Sequence, residues 1–545
     1  MHWNGDGRES RAINMAKNGT DAQAKQASSY WRKAGLTYSI RSQRGFSARV
    51  LPAGCLFTGQ GPLILSESTT SHEYILGWLN SVLIRTLIEV QSNDGKFMSG
   101  LIKSIPWRTP QPCGQAALET RTREVCALHI RLASASKMLS PYYVAPHLGD
   151  SISSSCQGMV TEEDRVRSAT CKLDQLWDSY VLGVYGIPRH LVERVRDQIS
   201  FADADSDEDS DEDSSELDVG AYCRNILDYL VGVACGRWDV RFVTGQRPPL
   251  NDIDPFAPLP ACPPGVLQGP NGLPIRTEDV PSDYPIQIDW DGILADDAEH
   301  GDDIVRRIRD VLSVIWKGRA DAIEREACEI LGVRELRDYF RKPGNGGFWM
   351  DHVKRYSKSR RKAPIYWYLR SAKGNYGLWL YYHRLDKDTY FKCLVNYVEP
   401  KLRMEEDRLL TLRARKAAVG SAGREAKQLE KDIDRQEQFV AELHDFRDKL
   451  RPVADLHLVP NLNDGVILNI APLHELVPWK EAERSWEALQ DAKYDWAHIA
   501  YQLWPDRVRD LCKRDLSVAI AHGLEDICEV EPPKNLRAAT PDADE

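Results

Sequence analysis

The segment from about Lys401 to Leu450 constrains the fold most. Its composition is strongly helical, Leu429, Ile433, Val440, Leu443 and Leu450 keep near-heptad spacing, and Gly420-Ser421-Ala422-Gly423 breaks the run in its first half. Apolar residues at that spacing line one seam of a helix, and a seam must be buried against a partner. The nearest partner is the helical stretch on the other side of the break, so an antiparallel hairpin is expected.

The front of the chain has a different texture. Over the first ~110 residues, short apolar runs (Gly45 to Pro52, Gly54 to Phe57, Pro62 to Leu65) alternate with Gly and Pro, which predicts short strands joined by turns. Tyr74 to Leu83 predicts one amphipathic helix packed on that sheet. Residues 114–199 read as helical, with Leu173, Leu176, Trp177 and Tyr180 at i, i+3, i+4 and i+7. Pro248 to Pro285 is loop-like and is expected to separate two lobes. Beyond it, Asp302-Asp303 precede a helix with Ile304, Ile308, Val311, Leu312 and Ile315 on one face, acids at its positive end as the macrodipole favours. Tyr376 to Tyr382 alternates like a strand, and Asn461 to Val466 reads as a turn leading into a buried strand, Ile467 to Pro472. Trp479, Trp486, Trp496 and Trp504 are expected to form a small capping core, with a docking face as the alternative.

At 545 residues the chain is long enough for two to four domains. Its net charge of -10 comes from one place: Asp203 to Asp218 holds ten Asp or Glu and no Lys or Arg, and outside it acids and bases balance at 71 each. Such a tract cannot bury apolar surface and is expected to be a disordered loop. A solvated insertion is the favoured reading; the alternative is a nucleic-acid mimic that holds basic residues off DNA. The twelve cysteines sit singly, without zinc spacing, as reduced thiols of a cytosolic protein would. The polar amino terminus is unlike a secretory signal. The best hydrophobic window, Tyr74 to Val90, contains Asn80 and Arg85 and is too short to span a bilayer, so no membrane insertion and a cytoplasmic location are expected.

Lys354-Arg355-Tyr356-Ser357-Lys358-Ser359-Arg360-Arg361-Lys362 carries six positive charges in nine residues and runs into Ile365-Tyr366-Trp367-Tyr368. A cationic run beside stackable rings suits a phosphate backbone. Catalytic signals are missing by comparison. Phe57-Thr58-Gly59-Gln60-Gly61 matches a glycine-rich methyl-donor loop, but Pro62-Leu63-Ile64-Leu65 continues as strand where a helix should begin. The three Pro-Pro pairs, at Pro248, Pro263 and Pro532, lack the flanks of an adenine-amine loop. No Gly-x-Ser-x-Gly elbow or His-Glu-x-x-His helix occurs, and His383, His474, His498 and His522 read as packed or surface histidines. No catalytic or metal site is assigned.

Several strings resemble the carboxy-terminal half of the large adenine-specific DNA methyltransferases of phage-defence loci, the BREX (Pgl) type and its DISARM relatives. They are Asp338 to Arg341, Tyr356 to Trp367, Leu380 to Leu385, Asn461 to Trp479, Tyr494 to Ala500 and Ala519 to Glu525. Tyr30 to Ser39 and Leu76 to Ser81 resemble that family's target-recognition domain, and Val231 to Trp238 also has a counterpart. The resemblance is dense over ~280–527 and looser in front. It places Phe57 to Gly61 inside the recognition domain. Family members carry a Rossmann-like methyltransferase domain ahead of these segments, with the cofactor loop and the Asn-Pro-Pro-Tyr loop; neither is found here.

The resemblance therefore implies an α+β, predominantly helical chain: a small mixed target-recognition domain followed by helical lobes with a long helical hairpin, the Rossmann-like methyltransferase domain absent. The expected divisions are a target-recognition-like domain 1–112, a helical region 113–247 with a disordered acidic insertion 202–218, a Pro-rich connector 248–300, a DNA-backbone-contacting region 301–400, the hairpin 401–452, a Trp-rich domain 453–527 and a disordered tail 528–545. Lys354, Arg355, Lys358, Arg360, Arg361 and Lys362 are the candidate phosphate contacts, and Arg41, Arg44 and Arg49 the candidates for base edges. Double-stranded DNA and a separate catalytic polypeptide are the implied partners. S-adenosylmethionine belongs to the complete family enzyme, and this chain is expected to bind no cofactor and to be inactive alone. The alternatives are a fragment of the whole enzyme and a protein-interaction scaffold of the defence complex without DNA affinity.

Overall fold

The computed structural model describes residues 27–66, 70–92, 95–108, 112–197, 218–248, 253–288, 290–357, 362–419 and 423–529, with 11–12, 14–15 and 19–20. The architecture is α+β and mostly helical, with two small antiparallel sheets. The described residues divide into two compact units: Ala27–Tyr229 with Arg237–Tyr284, and Leu230–Gly236 with those from Pro285 on.

In the first unit β1 (Gly35–Tyr38) is the centre of a three-stranded sheet, between β2 (Ala48–Leu51) and β3 (Leu63–Ile64). Leu36 pairs with Val50 and Ile64, and Thr37 with Arg49 and Leu63. Because side chains alternate along a strand, Leu36 and Tyr38 enter the core while Thr37 and Ser39 face outward. Gly54 to Phe57 forms no named strand; its backbone is tied instead to Arg32, with Gly54 N–H donating to Arg32 O at 2.8 Å.

The expected single helix after the sheet is two: α1 (His72–Asn80) and α2 (Val82–Val90), broken at Ser81, whose backbone is extended. A distant side chain fixes the break, since Val82 N–H donates to Asp178 Oδ1 at 2.7 Å. There follow α3 (Ser99–Ser104), α4 (Pro112–Ser136), α5 (Ile152–Tyr185) and α6 (Arg189–Arg196), then α7 (Val219–Ala234), whose residues from Leu230 on belong to the second unit. A Ser151/Ser154 capping box starts α5, and Gly186 ends it in the left-handed conformation at φ 66°. Within α5, Leu173 and Trp177 are buried as expected, but Leu176 is exposed, because the core-facing stripe runs through Trp177 and Val181. Trp177 lies over Gly77 so closely that a Cβ there would come within 1.9 Å of the indole, so α1 tolerates only glycine at this crossing. Residues 253–284 fold onto this unit with little regular structure: Ala53 N–H donates to Phe256 O, and Gly265 packs against the backbone of Val144. The acidic tract lies outside the described residues except for Asp218, which accepts from Ala221 N–H at the start of α7.

The second unit is built on β4 (Ile293–Ala295), α8 (Ile304–Trp316), α9 (Ala320–Leu331), α10 (Leu336–Arg341), α11 (Phe348–Tyr356), β5 (Tyr366–Arg370) and β6 (Gly377–Tyr381). The sheet order is β4-β6-β5, antiparallel throughout. Asp303 caps α8 through Arg306 N–H at 3.1 Å, and Ile304, Ile308, Val311 and Leu312 are buried. The helix α12 (Thr389–Lys392) passes through a π-helical turn, Cys393–Val398, into α13 (Glu399–Val419). The widened turn precedes Pro400, which has no N–H to continue an α-helical ladder. Next, α14 (Arg424–Ala454) runs back along α13. Cross-links in reverse order establish the antiparallel hairpin: Glu399–Arg451, Arg413–Glu437 and Arg415–Glu425 at 2.8, 2.8 and 2.9 Å. All five seam residues of α14 are buried.

The segment read as a turn and buried strand is helical: α15 (Val466–Ile470) and a 3-10 turn, Ala471–Leu473. Asn469 imposes this locally, its amide donating to Asn461 O and Gly465 O at 2.8 and 2.9 Å. There follow α16 (Lys480–Gln490), α17 (His498–Leu503), α18 (Pro505–Cys512) and α19 (Leu516–His522). Of the four tryptophans here, Trp486 stacks on His474 and contacts Trp504, whereas Trp496 is exposed. No helix among the described residues is long and apolar enough to cross a membrane.

Candidate nucleic-acid interface

The outward face of the front sheet collects cations. Along β1 and its continuation the outward positions are Thr37, Ser39 and Arg41. Arg49, opposite Thr37, donates through Nη2 to Ser39 Oγ. Arg41 forms an antiparallel bridge with Lys96, a residue the sequence reading missed. Phe97, next in the chain, turns fully into the core and donates its N–H to Ile40 O at 2.6 Å, so Lys96 is left outside. Arg44 is exposed on the loop that follows Arg41. The signal for Lys96 was present as an apolar–polar alternation in Lys96-Phe97, but its neighbour across the bridge is set by tertiary pairing.

Among the described residues, no carboxylate stands in ion-pair range of Arg41, Arg44, Arg49 or Lys96. The nearby Glu89 is otherwise engaged, its Oε1 accepting from Phe46 N–H at 2.9 Å with Arg85 at 3.7 Å. Exposed cations without a carboxylate keep their full field for an outside anion. Thr58 and Gly61 beside this face close a tight turn by reciprocal backbone bonds of 3.3 and 3.1 Å, and Ile40 N–H donates to Gln60 O at 3.0 Å. The chain continues from this turn into β3. Phe57 to Gly61 is thus a surface turn that leads into the short strand β3, where a methyl-donor loop would join a buried strand to a helix.

The basic run of the second unit has another environment. Lys354 is exposed and Arg355 half-buried in the last turn of α11, where positive charge suits the helix dipole. Lys362 is half-buried; Lys358, Arg360 and Arg361 lie outside the described residues. The loop is pinned at both ends: Ala363 N–H donates to Tyr356 O, and His352 Nε2 accepts from Ile365 and Tyr366 N–H at 3.0 and 3.1 Å. The adjoining aromatic string is not a stacking surface. Tyr366, Trp367 and Tyr368 are buried in β5, Tyr368 stacking on Trp379 at 4.4 Å, because the strand is covered on both faces.

Elsewhere in this unit cations are consumed internally. Arg337 grips Asp303 with two bonds of 2.8 Å and Asp296 with one of 2.6 Å, and Arg341 holds the other oxygen of Asp296. Burial of Arg337 disfavours its charge, but the two carboxylates outweigh that and raise its pKa. Lys401 bonds Asp297, Glu299 and Glu405, and these partners likewise overcome desolvation to raise its pKa. No group of His, Cys, Asp or Glu among the described residues is arranged to hold a metal.

No family model matches the chain. Two curated proteins do. The chain is similar to adenine-specific methyltransferases. One is the adenine-specific methyltransferase PglX of Lacticaseibacillus casei (strain Zhang), 22% identical over 454 residues, covering 80% of this chain and 34% of that protein. The other is the adenine-specific methyltransferase BrxX of Escherichia coli O9:H4 (strain HS), 28% identical over 205 residues, covering 35% of this chain and 16% of that protein. The chain thus spans about a third of one relative and a sixth of the other.

Proposed function

We propose that this chain is the DNA target-recognition portion of a site-specific N6-adenine DNA methyltransferase of a BREX-type phage-defence system. On this reading it binds double-stranded DNA through the front sheet, with Lys354, Arg355, Lys358, Arg360, Arg361 and Lys362 as further phosphate contacts. It binds no methyl donor itself; a catalytic segment or separate polypeptide carries S-adenosylmethionine and the reaction. The observation that carries the reading is the exposed face of Arg41, Arg44, Arg49 and Lys96, with no carboxylate in ion-pair range among the described residues. The similarity to PglX and BrxX supports the methyltransferase context.

The test is a duplex-binding titration across salt, paired with a methylation assay with and without the neighbouring gene product. Binding that weakens with salt, and methylation only when the second polypeptide is present, are expected. Saturable uptake of S-adenosylmethionine by the isolated chain would overturn the division of labour.

One feature favours a second reading, a protein-interaction scaffold. Leu83, Leu87 and Val90 of α2, Leu191 and Val195 of α6 and Ile187 just before it line an apolar groove, with Val90, Leu191 and Val195 exposed. That reading expects pull-down partners to survive nuclease treatment and no direct affinity for duplex.

A further inference from the structure

The turn beside the cationic face has a chemistry the phosphate contacts do not explain. Its tip is Gly59-Gln60-Gly61, so one side chain stands alone between two residues that have none. The backbone under it is fixed: Thr58 and Gly61 bond reciprocally, Thr58 Oγ1 accepts from Gln60 and Gly61 N–H at 3.2 and 3.3 Å, and Gln60 O is held by Ile40 N–H, the residue before Arg41. The side-chain amide of Gln60, by contrast, is exposed and has no partner among the described residues. Gly59 is also unaccounted for by the fold. It does not have positive φ, and a Cβ there would meet nothing within 4 Å. A glycine that its own chain does not require leaves room for a surface that approaches the backbone from outside.

We propose that Gln60 is a specificity-determining residue that reads an adenine in the major groove, while Arg41, Arg49 and Lys96 hold the flanking phosphates. This rests on the reading that the front sheet takes duplex DNA, and adds which side chain carries sequence information. The chemistry is direct. A glutamine amide offers one donor and one acceptor side by side, the complement of adenine N7 and N6–H₂ on the major-groove edge. A rigid tip loses little freedom on binding, and a narrow one fits a groove about 12 Å wide.

Selection from randomised duplexes with the full-length chain tests this, using wild type, Gln60→Ala, Gln60→Arg and Gly59→Val. The wild type should enrich a motif with a fixed adenine. Gln60→Ala should lose that preference by roughly 5- to 150-fold at that one position while keeping its salt slope. Gln60→Arg should move the preference there to guanine, whose O6 and N7 a guanidinium matches. Gly59→Val should weaken binding to every sequence with no change in thermal unfolding. Wild-type and Gln60 variants selecting the same motif, or a wild type with no sequence preference, would refute the role of Gln60 while leaving DNA binding intact. Absence of any wild-type duplex binding would remove both this inference and the reading beneath it.

Discussion

Two groups of cations, one in each unit, carry the same formal charges and face opposite fates. Arg337 and Lys401 are enclosed, and Arg341 half-buried, with Asp296, Asp297, Asp303 and Glu405, and their charge is spent on holding β4, α8, α10 and α13 together. Arg41, Arg49 and Lys96 lie on an open sheet face, with no carboxylate partner among the described residues. Charge density along the chain does not distinguish the groups; the supply of acids in three dimensions does. The first group is structural and the second available, and each can be altered without touching the other.

The largest effect is expected in the enclosed group. Arg337→Met leaves Asp303 and Asp296 buried with their principal partner gone, a loss of about 3–5 kcal/mol for breaking such a pair. Chemical denaturation followed by tryptophan fluorescence should show a lower midpoint for the transition of the second unit. An unchanged midpoint would mean that these ion pairs contribute nothing net, and the contrast between the groups would fail.

The open group should behave in reverse. Replacing Arg41, Arg49 and Lys96 together by Ala should shift stability by no more than about 0.5 kcal/mol per site, as exposed substitutions do. It should also flatten the dependence of log affinity on log salt by up to ~0.9 per lost phosphate contact. A full salt slope in this variant would place the duplex elsewhere. Replacing the basic run 354–362 by Ala should weaken binding similarly across DNA sequences, with a smaller loss of slope than one per cation. Arg355 and Lys362 are half-buried, which limits how many of these charges reach a phosphate together. Filter binding of several unrelated duplexes checks both points.

The same contrast explains what could be read in the sequence. The hairpin was legible because Leu429 to Leu450 form a seam whose partner is local, and α8 because its capping acids and apolar face are contiguous. The break between α1 and α2 was not, since Asp178 makes it from far along the chain. The short apolar run after Asn461 fits a strand or a helix equally, and only the amide of Asn469 decides between them. For the candidate interface, Arg41, Arg44 and Arg49 were visible as front-domain cations. Lys96 joins them through a bridge, and the bonds that fix Gln60 also depend on pairing that composition does not encode. The rings of Tyr366 to Tyr368 show the converse: an aromatic string beside a basic run looks like a binding surface until the strand is found buried.

The smallest effect concerns a carboxylate of the second unit that is enclosed with no ion-pair partner among the described residues. Glu442 on α14 caps the turn between β5 and β6, accepting from Ser371 Oγ, from the N–H groups of Lys373 and Asn375, and from the Asn375 amide. Burial works to raise its pKa, but these donors outweigh it, and the carboxyl is held below the ordinary glutamate value. A group whose folded pKa is depressed stabilises the fold fully above the unfolded value of about 4.3, and that contribution is lost as pH falls through the lower folded value. Unfolding midpoints measured from neutral pH down through this window should therefore fall more steeply in the wild type than in Glu442→Gln, which keeps a single carbonyl acceptor and has no proton to gain. Because the donors are neutral, added salt should leave this difference nearly unchanged, whereas it should erode duplex binding at the open face. Equal acid sensitivity in both proteins would show that the donors around Glu442 satisfy the turn without favouring the ionised carboxylate.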